Sequence, residues 1–111
     1  MNIQIMGTKK CKETKKAIRF FKERRITPHF RDLNEKELSK GELNNIANKV
    51  GIDNMIDEDS KAYKEKGLQY MTYDVAEELL ENNNLLKTPL VRNGSDATVG
   101  HDPDKWNEWV K

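Results

Sequence analysis

The one cysteine of this chain, Cys11, lies between a short alternating apolar segment (residues 3–6, IQIM) and a strongly basic helical pattern. A thiol at the start of a helix lies close to unpaired backbone N–H groups and to the positive end of the helix dipole. Both favour the thiolate, which is the reactive form, and nearby ammonium groups such as Lys10 and Lys12 act in the same direction. The alternative is that Cys11 is a small buried hydrophobe, as many free cysteines are. Its position alone leaves both interpretations open.

Positive charge is concentrated around this cysteine. The chain has 111 residues, with 20 basic and 19 acidic side chains and a net charge of +1. Residues 1–25 contain nine of the basic side chains and only two acidic ones, whereas the remaining residues have an excess of acidic groups. We therefore expect an electropositive surface around Cys11.

Composition restricts the class of protein. A chain of this length can form one core, so we predict a single domain over residues 1–111. No segment approaches the roughly 18 apolar residues of a membrane span, and the first residues lack the pattern of a secretory signal. One cysteine cannot form an internal disulfide or, with only two histidines, a cysteine-rich zinc site. We expect a cytoplasmic monomer with no bound cofactor, metal or membrane contact.

Hydrophobic periodicity predicts a βαβ unit at the start of the chain. Ile3 and Ile5 alternate with polar residues, which is typical of a half-buried strand. Apolar residues at helical spacing predict a helix over about residues 12–24, and residues 29–33 (HFRDL) predict a second strand. A strand, a helix and a strand in this order imply parallel pairing.

The middle of the chain, from about residue 35 to 86, is predicted to be helical. Ser39 and Glu42 have the spacing of a capping box, and the helix that they open ends near Gly51. Shorter helices are predicted over residues 60–66 and after Asp74.

The end of the chain returns to strands. Residues 89–92 and 97–99 flank an Asn-Gly turn and predict a hairpin, and Asp102 caps a last helix that begins at Pro103. The whole order predicts an α/β fold of the thioredoxin or glutaredoxin type, with a mixed four-stranded sheet, helices and a helical insertion at about residues 35–86.

Three segments form a recognisable set when they are taken in order. They are residues 7–17 (GTKKCKETKKA), 60–68 (SKAYKEKGL) and 85–91 (LLKTPLV). Together they resemble the arsenate reductase-like family of thioredoxin-fold proteins, which includes glutaredoxin-linked arsenate reductases and Spx-type regulators that bind RNA polymerase. The resemblance covers nearly the whole chain. It implies that Cys11 is the nucleophile and that Pro89 is the proline beside the active site, which is usually cis.

The sequence departs from the family's pattern around this site. Where the redox-switch regulators have a second cysteine, three residues after the first, this chain has Thr14, so that disulfide cannot form. Arsenate reductases bind their oxyanion with three arginines. At the corresponding places this chain has Thr88, an acidic run (residues 57–59, DED), and a segment around His101 that contains no arginine. Other side chains do not reproduce the planar, bidentate donors of arginine. We expect arsenate reduction to be weak or absent.

The first functional hypothesis is a monothiol redox protein. The Cys11 thiolate would form a mixed disulfide or other adduct, which an external thiol would resolve: glutathione, another small thiol, or a reductant of the thioredoxin or glutaredoxin type. Lys10 and Lys12 would support the thiolate and attract an anionic thiol. Thr14 would donate its hydroxyl to the thiolate or simply pack. Thr88 and Pro89 would position the substrate, although without the resemblance Pro89 is a proline at a strand entry.

The second hypothesis is a binding module without redox catalysis. The resemblance implies RNA polymerase as a partner if the protein is a regulator, and a fold that has lost its chemistry is a further alternative. The basic helix resembles a nucleic-acid-binding face, but no exposed aromatic residues for base stacking are evident. We therefore do not expect nucleic-acid binding.

Overall fold

A four-stranded sheet determines where the cysteine lies. The computed structural model describes residues 2–111. The strands are β1 (Ile3–Gly7), β2 (His29–Asp32), β3 (Leu90–Asn93) and β4 (Asp96–Val99), in the spatial order β2-β1-β3-β4. The β1–β2 pair is parallel and the other two pairs are antiparallel. The mixed four-stranded sheet predicted from the sequence is therefore confirmed.

The helix that follows β1 covers one face of this sheet. Helix α1 (Lys12–Glu23) buries Ala17 and Phe21 against the inward side chains of β1, and helix α5 (Pro103–Val110) adds Trp106 to the same cluster. The rings of Phe21 and Trp106 have centroids 5.8 Å apart. Only residues 8–11 separate β1 from α1, so the start of the helix is held at the end of the strand, and the helix then leads to the parallel strand β2.

The helical insertion covers the opposite face. It contains α2 (Lys40–Val50), α3 (Lys61–Lys66) and α4 (Val75–Glu81), with three 3₁₀ turns at Ile52–Asn54, Leu68–Tyr70 and Asn83–Leu85. Its core includes Leu43, Ile46 and Leu79, which join Met6 of β1 and Leu90 of β3. Ile3 and Ile5 therefore face α1, and Met6 faces the insertion, as the two-residue period of a strand requires.

One ion pair connects the insertion to the sheet. Arg31 of β2 donates to both carboxylate oxygens of Glu42 in α2, and also to the carbonyl oxygens of Lys36 and Glu37. The Arg31 side chain is only 9% exposed. The bond from Arg31 outweighs the cost of burial and lowers the pKa of Glu42 to about 2. Glu42 also completes the predicted capping box with Ser39, which is confirmed.

The boundaries differ little from the predicted ones. The hairpin between β3 and β4 turns over Gly94 and Ser95, with Asn93 and Asp96 as the last paired residues. Gly94 has a φ of 60°, a conformation that glycine adopts readily. Over residues 2–111, no helix is both long enough and apolar enough to cross a membrane.

Candidate active site

The fold brings Cys11 to the proline that lies far away in the sequence. Cys11 is the residue before α1, and its backbone carbonyl accepts from Lys15 N at 3.1 Å. Its Sγ lies 3.0 Å from Thr88 Oγ1, and the Thr88–Pro89 peptide bond is cis. Three predicted site residues, Cys11, Thr88 and Pro89, therefore meet where α1 begins and β3 is about to start. The thiol is partly exposed, so this contact does not seal it from solvent.

A buried hydroxyl lies one helical turn after the cysteine. The side chain of Thr14 is buried, and within residues 2–111 its Oγ1 has no hydrogen-bond partner of ordinary geometry. The absence of a side chain at Gly7 leaves room for it, since a Cβ there would lie 2.3 Å from Thr14 Oγ1. The end of β1 and the first turn of α1 are thus closely packed. Gly7 is a site residue that the sequence analysis missed, and a glycine ending a buried strand was the available signal.

The surroundings of the thiol favour its ionised form. Burial alone raises the pKa of Cys11, but the hydroxyls of Thr14 and Thr88 and the backbone N–H groups of Thr14 and Glu13 outweigh it. The net result is a pKa below the ordinary value of 9.0. The hydroxyl of Thr14 acts from outside ordinary hydrogen-bond geometry, and rotation about its C–O bond lets its proton point towards a thiolate.

The lysines beside the cysteine face solvent. Lys10 and Lys12 are both exposed, and neither is among the groups that lower the pKa of the thiol. Lys12 begins a row of exposed cations on the outer face of α1, which we call the basic stripe: Lys12, Lys15, Arg19 and Lys22. These spacings place the four side chains on one side of the helix.

An acidic cleft of about 620 Å³ lies near the same site, between the insertion and β4. The cleft is lined by Lys87, the residue before Thr88. Lys87 also lies close to Gly100, since a Cβ added to that glycine would be 3.4 Å from Lys87 Cε. The cleft also contains Lys49 and Lys105, but its acidic residues outnumber the lysines: Asp53, Asp57, Glu58, Asp59, Asp96 and Asp102. The predicted acidic character of residues 57–59 therefore extends to a larger surface.

His101 lies close to the first turn of α1. Its Nδ1 is 3.6 Å from Glu13 Oε2, and its ring packs edge-on against Trp106 with centroids 5.6 Å apart. This contact could not be predicted from the sequence, because nothing in the spacing of two residues so far apart indicates that they meet. Over the residues that the structure describes, no group of three or more potential ligands is placed to hold a metal ion.

The fold and the site together define a protein of the thioredoxin-like class, with one cysteine at the start of the first helix facing a cis proline. A glutaredoxin from Archaeoglobus fulgidus shares this fold at 11% identity and a TM-score of 0.50, over 99% of this chain and 86% of that one. The ArsC family model matches residues 6–109, and the chain therefore belongs to the ArsC family.

Individual relatives agree with this assignment. An arsenate reductase from Haemophilus influenzae is 27% identical over 110 residues, which cover 94% of this chain and 95% of the relative. The crystal structure of a putative ArsC family related protein from Bacteroides fragilis superposes with a TM-score of 0.85 at 24% identity, over 100% of this chain and 98% of that one. The resemblance inferred from the three sequence segments is confirmed.

Proposed function

We propose that this protein is a monothiol redox protein in which Cys11 exchanges with external disulfides and thiols. The observation that carries the proposal is the contact of the partly exposed Cys11 Sγ with Thr88 Oγ1, beside Pro89, with the pKa of the thiol lowered. A thiolate that is held in place and open to solvent is the reactive form in thiol exchange. A buried structural cysteine would have neither property.

The proposed reaction has two exchange steps. The Cys11 thiolate attacks one sulfur of a disulfide, so that a bond from Sγ forms while the original S–S bond breaks and the second sulfur leaves as a thiolate. An external thiolate then attacks the sulfur attached to Sγ, which forms a new disulfide and releases Cys11 as a thiolate. The external thiol is thereby oxidised to a mixed disulfide with one half of the first disulfide, and the other half is released as a reduced thiolate. Because the chain has one cysteine, both steps depend on an outside thiol.

We assign roles to the neighbours of the thiol on this basis. Thr14 and Thr88 supply hydroxyl donors to the thiolate, and Pro89 shapes the surface against which the disulfide lies. Lys10 and Lys12 attract the carboxylates of glutathione, or the acidic surface of a thioredoxin- or glutaredoxin-type reductant. We propose a reducing, cytoplasmic setting, since it keeps such a thiol free to react.

Arsenate is not the substrate that we propose. The residue before the cis proline is Thr88, and the nearby cleft contains Asp57 and Asp102. The hydroxyl of Thr88 and the carboxylates of the cleft offer none of the paired cationic donors that arginine supplies to an oxyanion. We expect little or no arsenate turnover with glutathione and glutaredoxin.

Reaction with glutathione disulfide tests the proposal. We expect intact mass to show one glutathione adduct on the wild-type protein and none on Cys11→Ser, with Ser95→Ala on the hairpin turn as a control that labels normally. The rate of alkylation by iodoacetamide against pH should have its midpoint below 9.0, the ordinary pKa of the thiol. A wild-type protein that stays unlabelled would contradict the redox proposal and favour a regulator that binds its partner without exchange.

A further inference from the structure

The basic stripe is available for binding. Its four side chains, Lys12, Lys15, Arg19 and Lys22, are exposed, and within residues 2–111 none of them forms an ion pair. The neighbouring Lys16, in contrast, forms an ion pair, with its Nζ 3.3 Å from Glu13 Oε1. A row of cations that is not neutralised by its own protein keeps its field available to an outside partner.

The position of the stripe connects it to the thiol. It begins at Lys12, directly after Cys11, and extends for about 15 Å along the helix at a rise of 1.5 Å per residue. A macromolecule that lies along the stripe therefore also reaches Cys11. A small thiol such as glutathione is too short to contact its far end at Arg19 and Lys22.

The acidic cleft restricts the choice of partner. It is lined by Lys87, the residue before Thr88, and it contains Asp57 and Asp102, so a surface of opposite charge reaches the chain neighbour of the residue that contacts Cys11. A polyanion long enough to continue from Cys11 past Thr88 and Lys87 into the cleft would meet these carboxylates and be repelled. An acidic patch of limited size, as on a folded protein, can cover the stripe without entering the cleft.

The stripe also lacks what a single-stranded nucleic acid would use. The nearest aromatic ring on the outer side of α1, Phe20, is half-buried, and the guanidinium of Arg24 lies 3.6 Å from its centroid. The large exposed hydrophobic residues, Tyr70 and Met71, lie in the insertion. Without open aromatic faces, bases cannot stack beside the phosphate contacts.

We propose that the basic stripe is the docking surface for an acidic face of a thiol-bearing protein, which delivers its thiol to Cys11. The inference rests on the proposed function for its chemistry. The partner's thiolate attacks the sulfur attached to Cys11 Sγ, the Sγ–S bond breaks, and Cys11 leaves as a thiolate while the partner is oxidised to a mixed disulfide. The stripe contributes the orientation and rate of encounter, which charge complementarity controls.

A pyridyl disulfide on Cys11 measures docking without any need for glutathione chemistry. In this reporter the peptide thiolate attacks Cys11 Sγ itself rather than the attached sulfur, because thiopyridone is the better leaving group. A Cys11–peptide disulfide forms and thiopyridone is released, and its absorbance gives the rate at which the docked thiol is delivered to Cys11. The probes are three helical peptides, each long enough to span the stripe and each with a cysteine at one end. Their remaining exposed positions are glutamate in the first peptide, glutamine in the second and lysine in the third.

The test variant is Lys15→Glu/Arg19→Glu/Lys22→Glu, which leaves Lys12 beside the thiol intact. The matched control, Lys40→Glu/Lys64→Glu/Lys111→Glu, makes the same change in net charge elsewhere on the surface.

We expect the glutamate peptide to react fastest with the wild-type protein and the lysine peptide slowest. In the stripe variant the rate with the glutamate peptide should fall roughly tenfold at low salt, with little change in the control variant or with the glutamine peptide. Added salt should remove most of the difference. Midpoints of urea unfolding should be similar for all three proteins, because surface substitutions have small effects.

Three results would overturn the docking surface. Equal losses in the stripe and control variants would show that only overall charge matters, and equal rates for the three peptides would show no docking. Stripe-dependent binding of an oligothymidylate, with no preference among the peptides, would make the stripe a nucleic-acid surface instead. Failure of the glutathione adduct alone would reject the proposed function, while a retained peptide preference would leave the docking surface standing.

Discussion

Two polar clusters in this molecule are constructed in opposite ways. Arg31 has its donors occupied by the carboxylate of Glu42 and by two backbone carbonyls. Thr14 is more deeply buried than Arg31, yet within residues 2–111 its hydroxyl has no partner of ordinary geometry. A buried polar group with its hydrogen bonds made contributes stability, and one without them costs stability. The unsatisfied hydroxyl is one of the groups that lower the pKa of Cys11, so the donor that costs stability here is the one that the proposed function assigns to the thiolate.

Replacing the arginine of the satisfied cluster should have the largest effect on stability. In Arg31→Met the carboxylate of Glu42 and two carbonyls lose their donors, and we expect the free energy of unfolding to fall by about 3 kcal/mol. Urea unfolding measures the change, and Arg19→Met, which removes an exposed arginine without an ion pair, should change it by less than about 0.5 kcal/mol. The pKa of Cys11 should not move in either variant. A shift of that pKa in Arg31→Met would show that the two clusters are coupled.

The same ion pair should make the protein sensitive to acid. The pKa of Glu42 is about 2 in the folded protein, below its ordinary value of 4.5, so the folded state binds the proton less readily than the unfolded state. The stabilisation is therefore fully present above about pH 4.5 and is lost as the pH falls towards 2. Because the side chain of Glu42 is 26% exposed, we expect a loss of only about 2 kcal/mol. Glu42→Gln should be less stable at neutral pH and should lack this part of the pH dependence. An unchanged acid profile in that variant would contradict the assignment.

Filling the space at Gly7 should affect both the stability of the protein and the pKa of Cys11. In Gly7→Ala the new Cβ would lie 2.3 Å from Thr14 Oγ1, so the first turn of α1 must move. We expect a loss of about 1–2 kcal/mol in the free energy of unfolding and a higher pKa of Cys11. Adding Thr14→Ala removes the colliding atoms, so the double variant should recover stability relative to Gly7→Ala without recovering the low pKa. Additive losses of stability in this double-mutant cycle would mean that the two residues do not collide.

The sequence predicted the framework of the site better than its interior. The elements around Cys11 follow from local patterns: alternating isoleucines in β1, helical spacing in α1, and the Asn-Gly turn before β4. The approach of Thr88 to Cys11 followed from the family resemblance, because the two residues are 77 positions apart. Contacts such as Gly7 with Thr14 or His101 with Glu13 depend on how α1 and α5 settle on the sheet. No periodicity encodes such contacts.

Removing the unsatisfied hydroxyl should affect chemistry more than folding. Thr14→Val keeps the shape of the side chain and removes a buried donor that has no ordinary partner, so we expect the free energy of unfolding to stay within about 0.5 kcal/mol or to rise. The thiolate loses one of its hydrogen-bond donors, so the pKa of Cys11 should rise. The absorbance of the thiolate against pH measures this pKa directly, and Thr14→Ser, which restores the hydroxyl, should return it close to the wild-type value. If the pKa is the same in the valine and serine variants, Thr14 is only a packing residue. Thr88 and the backbone N–H groups alone would then account for the lowered pKa of Cys11.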